Sequence, residues 1–198
     1  MLKRILNIQY YSENSFTFNR SLFQCSKNTF LEGYFQSEKY FKNYEDILRN
    51  DFKIKKTIQK SNLVLLKKID AASSVSVHVR RGDYVSDLDT RNHHGALGFD
   101  YYSTSIKLID KKITDPVFFI FSDEPQLVEK NLSFPFPFTI ISGNINEFCY
   151  EDLLLMSRCR HHIIANSSFS WWGAWLDARP NKIVIAPKKW FANLDQAL

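Results

Sequence analysis

Val75-Ser76-Val77-His78-Val79-Arg80-Arg81-Gly82-Asp83 opens on a β-branched run and closes on two arginines, a glycine and an aspartate. Val75 to Val79 reads as a strand, since branched side chains pack well on a pleated surface. The glycine marks a tight turn at the strand's end that lets backbone amides approach an anion. Arginine suits the same task, because its planar, permanently charged fork grips phosphate oxygens bidentately. In strand geometry Arg80 and Arg81 point to opposite sides, so one of them faces a ligand. Asp83 is placed to orient that arginine or to act on a substrate. A surface ion pair of Arg and Asp has the same local signature. His78 reads as a core or hydrogen-bonded strand residue.

Downstream of this strand the pattern repeats. Asp100 to Lys111 reads as a helix, Val117 to Phe121 as a strand and Gln126 to Lys130 as a short helix. Phe138 to Ile141 follows as a strand, Glu151 to Arg158 as a helix, His162 to Ala165 as a strand, Ser170 to Ala178 as a helix and Ile183 to Ile185 as a last strand. Strict alternation predicts the α/β class, a parallel sheet built from βα units. In such sheets ligands gather beyond the carboxyl ends of the strands. The predicted site is therefore spread over Arg80 to Tyr84, Ser122 to Glu124, Ser142 to Asn144 and Asn166 to Ser168.

Upstream, the first 70 residues have aromatic-rich stretches to Phe41, then a lysine-rich helical segment from about Tyr44 to Lys68. With six glycines in 198 residues, no G-x-G-x-x-G or Walker-type loop is present. Three cysteines, Cys25, Cys149 and Cys159, have neither disulfide-framework nor zinc spacing and read as reduced, buried thiols. A composition 44% hydrophobic and 15% aromatic fits a globular chain with an aromatic-heavy interior. A net charge of +5 suits anionic partners such as nucleotide phosphates or a lipid surface. A nucleic-acid role is not expected, because Lys53 to Lys68 reads more simply as a solvated helix face. No apolar run of membrane-spanning length occurs, and Met1 to Tyr10 has no signal-peptide pattern, so a cytoplasmic chain is expected.

The block from Asp152 to Leu176 holds a second constellation. Asn166, Ser167 and Ser168 stand between strand and helix, where hydroxyls cap the helix and its free N–H groups attract an anion. Trp171, Trp172 and Trp175 recur at helical spacing, so at least two share a core face. Asp152 opens a helix, where it either favours the dipole or accepts the N1 and N2 hydrogens of guanine. His161 and His162 fall on opposite faces of a strand, poor metal geometry. Ser122-Asp123-Glu124 reads as a solvated turn or as a ribose or acceptor contact.

Taken with Leu31 to Phe41, His78 to Tyr84, Phe121 to Glu124 and Ala186-Pro187-Lys188, that block resembles the α-1,2-fucosyltransferases, glycosyltransferase family eleven. The Asn166-Ser167-Ser168-Phe169-Ser170-Trp171-Trp172-Gly173-Ala174 core is its most specific part. The resemblance implies a GT-B architecture. A Rossmann-like domain over 71–198 would hold GDP-β-L-fucose, and 1–70 would be the remnant of an acceptor-side domain with its connecting helix. It implies metal-independent, cofactor-free transfer of fucose to O2 of a galactose residue in a glycan, with inversion. It also implies peripheral contact with the inner face of a bacterial membrane.

Carried over residue by residue, the resemblance assigns the diphosphate to Arg80 or Arg81, with His78 and Asn166 to Phe169 around the donor. Asp152 would read guanine, and Asp123 and Glu124 would touch acceptor or ribose. Asp83 is the candidate base, with Glu124 as its rival. The family's glycine-rich first strand and its closing segment are both missing from the expected places, so the chain reads as shortened at each end. A catalytically silent donor-binding fragment is the alternative.

Overall fold

The computed structural model describes residues 8–82, 95–132, 135–144 and 146–192. The chain divides into two compact units, one of 1–53 with 196–198 and the other of 54–195.

In the first unit β1 (Gln9–Ser12) and β2 (Thr29–Glu32) form a parallel pair, and α1 (Glu45–Asp51) follows. The sequence reading assigned no strand to this part of the chain, where it described aromatic-rich stretches and then a helical segment. No described residue of this unit is fully buried. Its aromatics pack on one another instead: Tyr10 stacks on Phe30 at 5.5 Å, and Phe18 and Phe35 both meet Tyr40. The expected aromatic interior is thus corrected for this part of the chain. Aromatic rings there form a surface cluster, because two short strands offer no second layer to cover them.

The second unit begins with α2 (Lys60–Ala71), which leads into β3 (Ser73–Val79). Then come α3 (Phe99–Asp110), β4 (Pro116–Ser122), α4 (Pro125–Asn131), β5 (Phe138–Ile141) and α5 (Cys149–Arg158). The unit closes with β6 (His161–Ile163), α6 (Ser168–Leu176) and β7 (Val184–Ile185). All five strands are parallel in the order β5-β4-β3-β6-β7. Strand order reverses between β3 and β6, so a crevice opens there at the carboxyl edge, as in doubly wound nucleotide-binding sheets.

Each sheet face has its own core. Val75, Val77 and Val79 join Phe118 and Ile120 under Tyr102, Ile106 and Ile109 of α3. Phe119, Phe121 and Ile141 point the other way, against Ile69 of α2 and Leu155 and Met156 of α5. The two-residue period of the strands sorts these side chains. Gly173 lets α6 lie close on α5, since a Cβ there would stand 2.9 Å from the Met156 Cβ. The Tyr101 hydroxyl donates to the Ile164 carbonyl at 2.7 Å and ties α3 to the carboxyl end of β6.

Two smaller expectations are corrected. Only Cys159 is a buried thiol, whereas Cys25 is partly buried and Cys149, at the first position of α5, is exposed. Of the three tryptophans only Trp175 is fully buried, and Trp171 and Trp172 pack against it from half-exposed positions. Among the described residues no helix is long and apolar enough to cross a membrane.

Candidate functional site

At the end of β3 the two arginines part, as the strand's alternation requires. The Arg80 guanidinium pairs with Asp123 at 3.2 Å and stays about one-third exposed. Arg81 turns to the α3 side, where it donates to the Leu97 carbonyl at 3.2 Å and lies 5.1 Å from the centre of the Phe99 ring. Arg80 is therefore the arginine left at the carboxyl edge. Asp123, just past β4, also accepts the backbone N–H groups of Arg81 and Gly82, each at 3.1 Å. The amides expected to meet an anion already meet this carboxylate. A Cβ at Gly82 would come within 2.9 Å of Asp123 Oδ2 and displace that carboxylate from its place against the backbone.

The brace for Arg80 thus comes from Asp123, the residue that follows the neighbouring strand β4. Asp83 lies outside the described residues, together with His93 and His94. Glu124 stands at the N-cap position of α4, its N–H donating to Ser122 Oγ. His78 is buried, its Nδ1 having no hydrogen-bond partner among the described residues. Burial, with the Arg80 charge adding to it, lowers its pKa to about 3, so the ring is neutral at ordinary pH. Its ring lies 5.9 Å from that of Phe169, the second residue of α6.

Across the crevice, Ser167 holds the N-cap position of α6, but its side chain makes no capping bond. The expected hydroxyl cap is corrected here: Ser167 acts through its carbonyl, which accepts from the Trp171 N–H and the Ser170 hydroxyl. Asn166 is turned inward, its Nδ2 donating to the carbonyls of Gly95 and Trp190. It holds two loops against the start of α6. Ser168, by contrast, is exposed.

Asp152 belongs to a separate polar network beyond β5. The Asn144 amide donates to Asp152 Oδ1 at 2.6 Å, and the Asn144 oxygen accepts from Asn62 at 2.8 Å and Gln59 at 3.2 Å. Asn62 donates also to the fully buried Glu151 at 2.6 Å. Burial pushes the Asp152 pKa to about 6, against the opposing pull of the Asn144 amide.

One buried cluster has the connectivity of a nucleophilic triad: Ser76 Oγ stands 2.8 Å from His162 Nδ1, and His162 Nε2 stands 3.1 Å from Asp177 Oδ2. All three residues are at most 4% exposed, so no substrate reaches the hydroxyl. Burial lowers the His162 pKa despite Asp177, and a neutral ring with Nε2–H toward the carboxylate satisfies both contacts. Burial raises the Asp177 pKa, but the bonds from His162 and Arg179 outweigh it and hold the carboxyl below its ordinary range. Arg179 carries on to the carbonyls of Arg158 and Cys159 at the end of α5. His161 Nδ1 accepts the Ile183 N–H, so neither histidine of the pair is a metal ligand candidate. Among the described residues no cluster suited to a metal ion occurs.

The carboxyl edge thus gathers a braced arginine, an uncapped helix N-terminus and a held carboxylate on one parallel sheet. The profile of glycosyl transferase family 11 matches residues 1–196. The chain belongs to that family. It is 33% identical over 178 residues to an O-antigen biosynthesis glycosyltransferase, WbnK, of Escherichia coli, covering 88% of this chain and 59% of the relative. To an Escherichia coli alpha-1,2-colitosyltransferase it is 40% identical over 163 residues, 80% of this chain and 55% of the relative. A galactoside 2-alpha-L-fucosyltransferase of Caenorhabditis elegans is 27% identical over 179 residues, 82% of this chain and 47% of the relative. The chain therefore spans somewhat more than half the length of the two bacterial family members. The members of this family are glycosyltransferases.

Proposed function

We propose that this chain carries the donor-binding part of an inverting GT-B enzyme that moves L-fucose from GDP-β-L-fucose to O2 of a galactose residue in a glycan. The observation that carries the reading is the Arg80 fork at the end of β3, one of the two strands that flank the switch point, braced from the β4 side by Asp123 and about one-third exposed. When GDP departs from an oxocarbenium-like centre, charge grows on its β-phosphate. A pre-positioned guanidinium and the free N–H groups of Ser168 and its neighbours stabilise that charge without reorganising. Neutral His78 and Phe169 meet at the same edge, their rings 5.9 Å apart. Asp152, at the far side of the sheet edge, meets the guanine.

In this reading the first unit serves the acceptor and Asp83 is the base that takes the proton of its hydroxyl. No metal takes part, because cationic side chains carry the phosphate charge. Asp87-Leu88-Asp89, outside the described residues, has the spacing of a metal-holding acidic pair, so transfer should be measured with and without EDTA. Equal rates are expected.

The 40% identity to a colitosyltransferase favours a second donor, a colitose-bearing nucleotide, which a paired assay with both sugars separates. A chain that binds donor and does not turn over is the further alternative. Calorimetry with GDP is the first test. Binding is expected, and Arg80→Ala should weaken it roughly 10- to 100-fold, the loss of one charge-assisted contact. Absence of binding at millimolar GDP would defeat the donor-site reading. Binding without sugar transfer to a galactose-terminated acceptor would select the silent fragment.

A further inference from the structure

The Asn144 side-chain amide is held from both ends. Its Oδ1 receives two amide donors, from Gln59 and Asn62, and its Nδ2 faces the Asp152 carboxylate. Reversing the amide would set an NH2 group against two other NH2 groups and an oxygen against a carboxylate, so only one orientation satisfies the network. Its partners are themselves committed. Asn62 and the Gln59 backbone N–H both bond Glu151 Oε2, at 2.6 and 3.1 Å. Asn62 is 3% exposed, Glu151 fully buried and Asn144 9% exposed. A buried polar network of this kind is stable only when complete, and complete it is rigid. Three separate segments, the first turn of α2, the loop after β5 and the first turn of α5, meet in it.

The outcome is a carboxylate with one oxygen held and the other available. Among the described residues no hydrogen bond engages Asp152 Oδ2, and the residue is half-buried at the carboxyl edge. We infer that Asn144 is a positioning residue: it fixes the Asp152 carboxylate as an acceptor for the two-donor edge of guanine and thereby sets the base selectivity of the donor site. This rests on the GDP-binding reading above. Guanine presents N1–H and N2–H2 side by side, whereas adenine presents a ring acceptor at N1 and no amino group at C2. An ionised carboxylate only accepts, and a protonated one donates as well. Selectivity therefore requires Asp152 to be charged. Burial opposes the charge, Glu151 on the same helix opposes it further, and the Asn144 amide is the group that favours it. Gln59 and Asn62, from α2, are uncharged, and no ion pair to a cation engages Asp152 among the described residues.

The test is calorimetry of the whole chain with GDP, IDP and ADP between pH 5 and 8. The unaltered chain should prefer GDP over ADP on the order of 100-fold at pH 8, with IDP between them because it lacks the 2-amino group. The preference should shrink as pH falls through about 6, where Asp152 takes up a proton. Asn144→Asp retains acceptance from Gln59 and Asn62 but offers Asp152 no donor. It should reduce the GDP preference at least about 10-fold at pH 7 and move the pH midpoint upward. Asn144→Ala should act in the same direction. Arg80→Ala should weaken GDP and ADP equally, since both carry the diphosphate.

An unaltered chain that binds GDP and ADP alike at pH 8 would overturn the inference while leaving the diphosphate site standing. Folded Asn144 variants with unchanged preference and unchanged midpoint would do the same. If neither variant folds, the pH profile of the unaltered chain decides, and a preference constant from pH 5 to 8 overturns the role. A chain that binds none of the three nucleotides removes both the inference and the reading beneath it.

Discussion

Two aspartates in the second unit each accept three donors, one of them an arginine guanidinium, and are put to different uses. Asp177 accepts from the His162 ring and from the backbone and side chain of Arg179, with its side chain 3% exposed. Asp123 accepts from the backbone N–H groups of Arg81 and Gly82 and pairs with Arg80, with its side chain 25% exposed. Three donors in each case satisfy one carboxylate. The difference is how deeply the carboxylate is buried. Arg179 spends its remaining donors on carbonyls at the end of α5, so the Asp177 cluster closes on the protein. Arg80 holds its carboxylate at the carboxyl edge, where both side chains of the pair are partly exposed. A satisfied, buried charge network locks elements together, and a half-open one keeps a charge ready for something else. The lock sits at the carboxyl-terminal ends of α5 and α6, whose first turns bear Asp152 and Ser168.

The strongest way to break this contrast is Asp177→Ala. Removing one partner of a buried pair leaves the His162 ring and the Arg179 fork uncompensated, at a cost of about 3 kcal/mol in denaturant unfolding. GDP affinity of the protein that remains folded should stay within about twofold, because the lock touches no ligand. A large affinity loss at unchanged stability would reverse the assignment of roles.

Asp123→Ala comes next. It strands two amides and loosens Arg80, all partly solvated, so the expected cost is about 1–2 kcal/mol. Here the larger effect should fall on GDP, since Arg80 loses the brace that aims it. If this substitution costs as much stability as Asp177→Ala and leaves GDP binding intact, the carboxyl-edge cluster is a second lock.

How far the sequence carried the reading follows from range. The βα alternation of the second unit was legible because it is local: branched runs and amphipathic periods lie within each segment, and β5 begins and ends where expected. Arg80 was legible as a strand-end cation, but not its separation from Arg81's task, which depends on Leu97 and Phe99. Asp123 bracing Gly82 is a contact between neighbouring strands, and only pairing β3 with β4 would have revealed it. Asn144 was visible as a polar residue at a strand end, yet its partners Gln59 and Asn62 stand some eighty residues away in a segment read as a plain solvated helix. The helix N-cap was misread because Ser167 has the right identity and a committed backbone. Strands β1 and β2 were hidden by aromatic residues whose spacing shows neither helical nor strand period.

Asp152→Asn is the smallest effect and the most discriminating. The folded pKa of about 6 lies above the unfolded value near 3.8, so the folded chain binds the extra proton between those limits. Asp152 therefore supports the fold fully below about pH 4 and loses that support as pH rises through 6. His78 and His162 act oppositely, because their lowered pKa values make the unfolded chain the better proton acceptor below about 6.5 and weaken the fold as pH falls. Asparagine keeps the oxygen that accepts from Asn144 and removes the charge. At pH 7.5 the variant should be more stable by on the order of 1 kcal/mol, after allowing for partial solvent screening. That advantage should vanish toward pH 4, while GDP affinity falls at pH 7.5. A thermal-melt difference that does not change with pH would show that the carboxyl is not held against its charge. A gain in stability together with a loss in binding would place Asp152 with the half-open cluster, where the fold bears an unfavourable charge for the ligand's sake.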